Sequence, residues 1–179
     1  MNHVIRRSSL ILIALAALVF SACAGGSADA ISVGDRSISH DGLAQMINGL
    51  DAGPVGDVPA TVSADQARAV GNVWIVDAAA AEYLRSEGIE IDAAAREEAE
   101  TFIAEAVQAG QIGDLDPSSE GYEALVNNIW ISGQLQGLQA DPAAEAAITE
   151  LFDSAEVASN IGVWDPASGQ ILPPVIGSN

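Results

Sequence analysis

The chain has no lysine, a single cysteine, few aromatic rings and, beyond its first 22 residues, no long apolar run. Each absence excludes something. Six arginines stand against 25 acidic residues, for a formal charge of −19, so nucleic acid and anionic lipid head groups are repelled rather than bound. One cysteine, Cys23, permits neither an intrachain disulfide nor a thiolate metal site. The histidines are His3 and His40, too few and too isolated for a Ser–His–Asp set. Carboxylates abound, but aromatics make up only 4% of the chain, and a glycosidase needs a cleft lined with rings as well as two acids. No cofactor is expected, and no membrane span follows the first segment.

That first segment, "MNHVIRRSSLILIALAALVFSACA", has Arg6 and Arg7, then an apolar run from Leu10 to Phe20, then small residues. This is the pattern of a secretory signal peptide, residues 1–22, with an apolar run shorter than the roughly 20 residues a spanning helix needs. "FSAC" followed by Ala24 and Gly25 resembles the lipobox of bacterial lipoproteins, with Phe20 where Leu is usual. The resemblance implies a diacylated Cys23 as the new first residue. Residues 23–30, "CAGGSADA", would then be a flexible tether on the outer face of the bacterial cell membrane. Ordinary cleavage at the small-x-small triplet Ala22-Cys23-Ala24 is the alternative, and gives a secreted soluble protein. Either way all 25 carboxylates stay with the mature chain while two of the six arginines leave.

Residues 31–179 read as one mostly helical domain. Ile31-Ser32-Val33 is a short strand, Gly34-Asp35 a turn and Arg36-Ser37-Ile38 a further extended piece before Ser39 caps the first helix. The Gly- and Pro-rich "NGLDAGPVGDVPATV" is a loop. Ser63 with Gln66 forms a capping box, and Val70, Val73, Trp74, Ala81 and Leu84 mark the buried stripe of a long helix that Gly88 ends. Asp92 and Gly110 bracket the next helix, with Phe102, Ile103, Ala106 and Val107 on its inner face and Glu97, Glu98 and Glu100 in solvent. Asp116-Pro117 and Asp141-Pro142 each place an Asp cap before Pro at the first helical position. One helix then carries Tyr122, Leu125, Val126, Ile129, Trp130 and Leu135, and the other Ala147, Ile148, Leu151 and Phe152. From Val157 the helical period stops, and the turn Asp165 to Gly169 makes a β-hairpin between Val163 and Ile171. Two strands alone are marginal. The expected fold is therefore four to five helices with a small terminal β-sheet, formed by the N-terminal strand and the C-terminal hairpin.

Three segments together resemble a known module. Val33-Gly34-Asp35-Arg36-Ser37-Ile38-Ser39 is similar to the strand-to-helix opening of the chaperone module in SurA-, PrsA- and trigger-factor-like proteins, with Gly and Asp in place of its Asn and Gly. "AEYLRSEGIEIDAAAREEAE" resembles the same module's helix, glycine, short extended segment and next helix. "GVWDPASGQILPP" is similar to the end of actinobacterial lipoproteins that carry the module. The resemblance implies binding of unfolded or newly exported polypeptides on an apolar surface, without catalysis. It implies no isomerase, because the chain has no room for a parvulin domain and His40 reads as an exposed residue at the capped start of the first helix.

Trp74 and Trp130, on neighbouring helices, are the candidates to line such a groove, although large aromatics on helices are more often core. "DLDPSSEGYEAL" fails as a Ca²⁺ loop, since Ser119 and Leu125 stand where an EF-hand needs Gly and Glu. No metal site is expected. The alternative in another class is a dedicated interaction lipoprotein, docking on one folded envelope partner. A broad open groove would favour the first reading and its absence the second.

Overall fold

Gly34 and Asp35 reverse the chain in two residues, and Gly34 takes a positive φ of 57°, the left-handed geometry of tight hairpin turns. In the computed structural model, which describes residues 28–50 and 62–174, this turn joins β1 (Asp29–Val33) to β2 (Arg36–Ser39) as an antiparallel pair. The leader, Cys23, most of the tether and the centre of the Gly- and Pro-rich loop lie outside the described residues. β1 takes in the last two residues of the expected tether.

Helix α1 (His40–Leu50) follows at once, and the Ser39 hydroxyl accepts the Gly42 N–H at 3.0 Å. The Ser63–Gln66 capping box opens α2 (Ala64–Ser86), with each side chain accepting the other's backbone N–H. Asp92 caps α3 (Ala93–Gln108) through the Ala95 N–H at 2.8 Å. Next come α4 (Glu120–Gln139) and α5 (Pro142–Asp153), the latter with the expected Asp141 cap and Pro142 at its start. β3 (Glu156–Val157), β4 (Val163–Asp165) and β5 (Gln170–Leu172) complete the chain. It is thus mostly α-helical with small antiparallel sheets. No helix among the described residues is long and apolar enough to cross a membrane.

The terminal sheet differs from the expected one. Its order is β2-β1-β3, with Ile31 opposite Val157 and Ser32 opposite Glu156, while β4 and β5 form a separate two-stranded sheet. The reason is the order in which the C-terminal strands follow α5. β3 comes just after the end of α5 and fills the one edge of β1 that β2 leaves free. The hairpin instead lies on α2, where the Asn72 amide oxygen accepts the Ile171 N–H at 2.8 Å and Ile171 is buried.

Three smaller expectations also change. α4 starts at Glu120 with Ser119 as cap, because the Asp116 carboxylate instead accepts the N–H and O–H of Ser118 in a turn of its own. Phe102 is 58% exposed: α3 packs chiefly on α4, so its buried stripe is the narrow Ala99–Ile103–Ala106 line, and Phe102 stands one residue off it. Val73 is exposed as well, since the covered side of α2 runs through Ala67, Gly71, Trp74, Ile75 and Ala78.

The centre of the fold is α2, against which α1, α4, α5, β1 and β5 all pack. Six consecutive residues, Asp77 to Glu82, are buried, and the four alanines among them let neighbouring elements approach from several sides. α1 and α4 come closer still: a Cβ at Gly121 would lie 2.6 Å from the Met46 nitrogen. The main core joins the sheet, α1 and the first half of α2. A smaller one, around Ala80, Ala81, Leu84 and Ile131, is flanked by Tyr83, Trp130, Leu138 and Ile148.

Candidate functional site

Two helix faces and one strand build the most distinctive cleft. On α2, Trp74, Asp77, Ala78, Ala81 and Arg85 stand at positions i, i+3, i+4, i+7 and i+11, so they share one face. Facing them on α4 are Glu120, Ala124, Asn127 and Trp130, again at helical spacing. Arg36 of β2 lines the cleft together with both rows. The cleft has two lobes, one of about 80 Å³ beside Trp74 and Glu120 and one of about 200 Å³ beside Trp130, Ile89 and Ile91. Arg36, Ala81 and Asn127 line both.

The two tryptophans singled out in the sequence therefore line opposite ends of one cleft, and they differ in exposure. Trp74 is 7% exposed and belongs to the main core. Trp130 is half-buried against the smaller core and forms a wall of the larger lobe. Cys23 lies outside the described residues.

The charges were not anticipated. Asp77 is buried in α2, and burial pushes its carboxyl up to about 6, against a hydrogen bond from the Asn128 amide at 2.5 Å that works the other way. Glu82, five residues on, is also buried, yet its carboxylate is held below the usual range, first by the hydrogen bonds of Arg85. Arg85 grips both Glu82 oxygens, at 2.9 and 2.5 Å, and reaches Asp35 of the β1–β2 turn at 2.8 Å. Arg36 is half-buried, and it has no hydrogen-bond or ion-pair partner among the described residues. Counting apolar positions could not find these groups, because it treats each charged residue as outward-facing. The signal that was present is the charge at Asp77 and Glu82 on either side of an unbroken alanine run.

Two further clefts lie elsewhere. One of about 250 Å³ beside α1 is lined by His40, Leu43, Ile47, Ala67 and Ile161 among others. His40 there has a structural part: its Nδ1 lies 2.8 Å from the Ala28 carbonyl and its Nε2 3.1 Å from the Asn160 amide nitrogen, so it fastens both terminal segments to α1. The other, of about 240 Å³, follows the paired backbone of β1 and β3. No group of three or more His, Cys, Asp or Glu among the described residues is placed to hold a metal ion. Set against family models, curated proteins and solved structures, the chain matches none of them.

Proposed function

We propose that this is a non-catalytic polypeptide-binding domain of the chaperone-like, SurA-related kind, acting outside the cytoplasm and tethered by a lipid on Cys23. The observation that carries the reading is the α2–α4 cleft. Its larger lobe combines the half-buried Trp130 and two isoleucines with a guanidinium, Arg36, that makes no hydrogen bond or ion pair among the described residues. Apolar walls with a few converging polar groups are what a bound segment needs for affinity and orientation. The strong negative charge favours neutral or basic chains.

Two uses of such a site differ in scale. A holdase for unfolded chains needs a broad apolar surface, whereas docking on one folded envelope partner needs only room for a short segment. Lobes of about 80 and 200 Å³, with Trp74 sealed in the core, fit a short segment, whether of an unfolded chain or of a folded partner. Light scattering of an aggregating unfolded polypeptide with the full chain added separates the two. Suppression of aggregation that Trp130→Ser weakens, with the fold intact, supports a holdase. No suppression at several-fold excess, with one envelope protein retained on the immobilised chain and lost from Trp130→Ser, supports the docking use. No suppression and no envelope protein retained on the chain would end the polypeptide-binding reading.

A further inference from the structure

Among the described residues there are four arginines and no lysine. Three of the arginines are saturated: Arg68 by Asp65, Arg85 by Glu82 and Asp35, and Arg96 by Glu100 and Glu123. Arg36 is not, in a chain with 25 carboxylates to offer. Glu82, whose charge acts on it, is held in the fork of Arg85, and of the carboxylates that line the smaller lobe with it Asp77 is bonded by Asn128 and Glu120 by the Ser39 N–H. The half-buried guanidinium of Arg36 has lost part of its hydration, and the nearby charge of Glu82 offsets only part of that loss, with no hydrogen bond formed. It presents a planar set of donors matched to a carboxylate.

The surroundings narrow the chemistry further. Asn127 shares the wall of both lobes with Arg36, and its side-chain amide donates one N–H to the Glu123 carbonyl at 2.8 Å and has a second to give. The larger lobe, a space of about 200 Å³, is half apolar, with Ala81, Ile89, Ile91 and Trp130 on that part of its wall. That space suits one branched aliphatic or similar side chain. Glu90 is the one carboxylate lining this lobe, and Arg85 lines it too.

We propose that the Arg36–Asn127 lobe is a carboxylate-binding pocket, taking a carboxyl group borne on a single apolar side chain. The free C-terminus of a polypeptide ending in an aliphatic residue and a small branched-chain acid both present this chemistry. The pocket stands whether or not the domain holds unfolded chains, and its test is separate from the scattering experiment.

The probes are an N-acetylated tetrapeptide ending in leucine with a free carboxylate, the same peptide as its C-terminal amide, and 4-methylpentanoate. Each is titrated into the full chain and followed by amide chemical shifts. The free-acid peptide should shift resonances around Arg36, Asn127 and Trp130, and the amide should bind about tenfold more weakly or worse, as loss of a charge-assisted hydrogen-bond pair implies. Arg36→Gln should lose binding by at least about the same factor while keeping the wild-type spectrum elsewhere. Arg36→Lys, which keeps the charge but not the fork, should fall between. Glu90→Gln should tighten binding. If 4-methylpentanoate binds as well as the peptide, the pocket is one for small acids; if it binds far more weakly, the pocket reads chain ends. Equal binding of acid and amide, no shifts with either acid at millimolar concentration, or an Arg36→Gln protein that is folded and binds unchanged would overturn the proposal.

Discussion

Trp74 and Trp130 face the same cleft from neighbouring helices, but one belongs to the main core and the other to the smaller one, and the two regions are built differently. Around Trp74 the sheet, α1 and the hairpin all close over α2, so Ile31, Ile38, Met46, Ile75 and Val126 are almost fully buried. Around Trp130 only α2, α4 and α5 contribute, and the side chains flanking Ala80, Ala81, Leu84 and Ile131 are only partly covered. The terminal strands cap one end of the helical assembly and leave the other with room at its surface. The difference teaches that the same residue type at helical spacing is structural where a third layer covers it and available for binding where none does.

The largest effect that tests this contrast is on stability. Trp74→Ala should cost about 3–5 kcal/mol, the range for emptying a core site of a large aromatic, while Trp130→Ala should cost only about 1–2 kcal/mol because its site is half open already. Urea melts of the two variants would measure both. Equal losses would put Trp130 in the structural core after all.

Asp77 gives the next effect, and its sign can be worked out. Its carboxyl is raised from an ordinary value near 3.8 to about 6, so the native state holds the proton more tightly than the unfolded chain. That contribution to stability is fully present below pH 3.8 and is lost as pH rises through about 6. Asp77→Asn removes the cost of the buried charge and keeps an acceptor for Asn128. It should stabilise the domain by up to about 3 kcal/mol near pH 7.5, with the gain fading towards pH 4. A variant no more stable than wild type at pH 7.5 would show that Asp77 is better solvated than its burial implies.

Glu82 should behave in the opposite sense, and more weakly. Its carboxylate is held below the usual range, chiefly by Arg85, so its contribution is present at neutral pH and lost as pH falls through its lowered value. Glu82→Gln should cost about 1–2 kcal/mol at pH 7, discounted because Arg85 is partly in water. Thermal melts at neutral and acid pH should show that difference shrinking as the pH is lowered. The smallest effect belongs to Arg36: it has no hydrogen bond or ion pair among the described residues, and the pull of the Glu82 charge is opposed by burial, so Arg36→Gln should change stability by less than about 0.5 kcal/mol. A large loss there would mean that Arg36 holds the fold together and is not reserved for a ligand.

Legibility in the sequence followed locality. The Ser63–Gln66 box, the Asp92 cap, Asp141-Pro142 and the two tight turns at Gly34 and Gly169 were readable because each depends on residues within a few positions of one another. The mostly helical class with a small sheet was readable from hydrophobic period for the same reason. The partner of β1 was not, because Glu156–Val157 is only two residues long and the longer hairpin beside it made the stronger signal. Asp116 misled because an Asp before Pro serves a turn as well as a helix cap, and Ser119 offered a cap closer to the apolar stripe.

The site was legible in half. Trp130 could be named from its spacing, whereas Arg36, Asp77 and Asn127 come together only when β2, α2 and α4 pack, and no local pattern reports that. A charged residue in a helix reads as solvated unless its neighbours in space are known.

Hydrogen–deuterium exchange with and without an unfolded, carbamidomethylated basic polypeptide tests the central claim most directly, that chains are bound at the α2–α4 cleft. The account predicts slower exchange in residues 81–91 and 127–138, with α1 and the β1–β3 edge unchanged. Protection confined to the β1–β3 edge, or no protection at a saturating concentration, would contradict it.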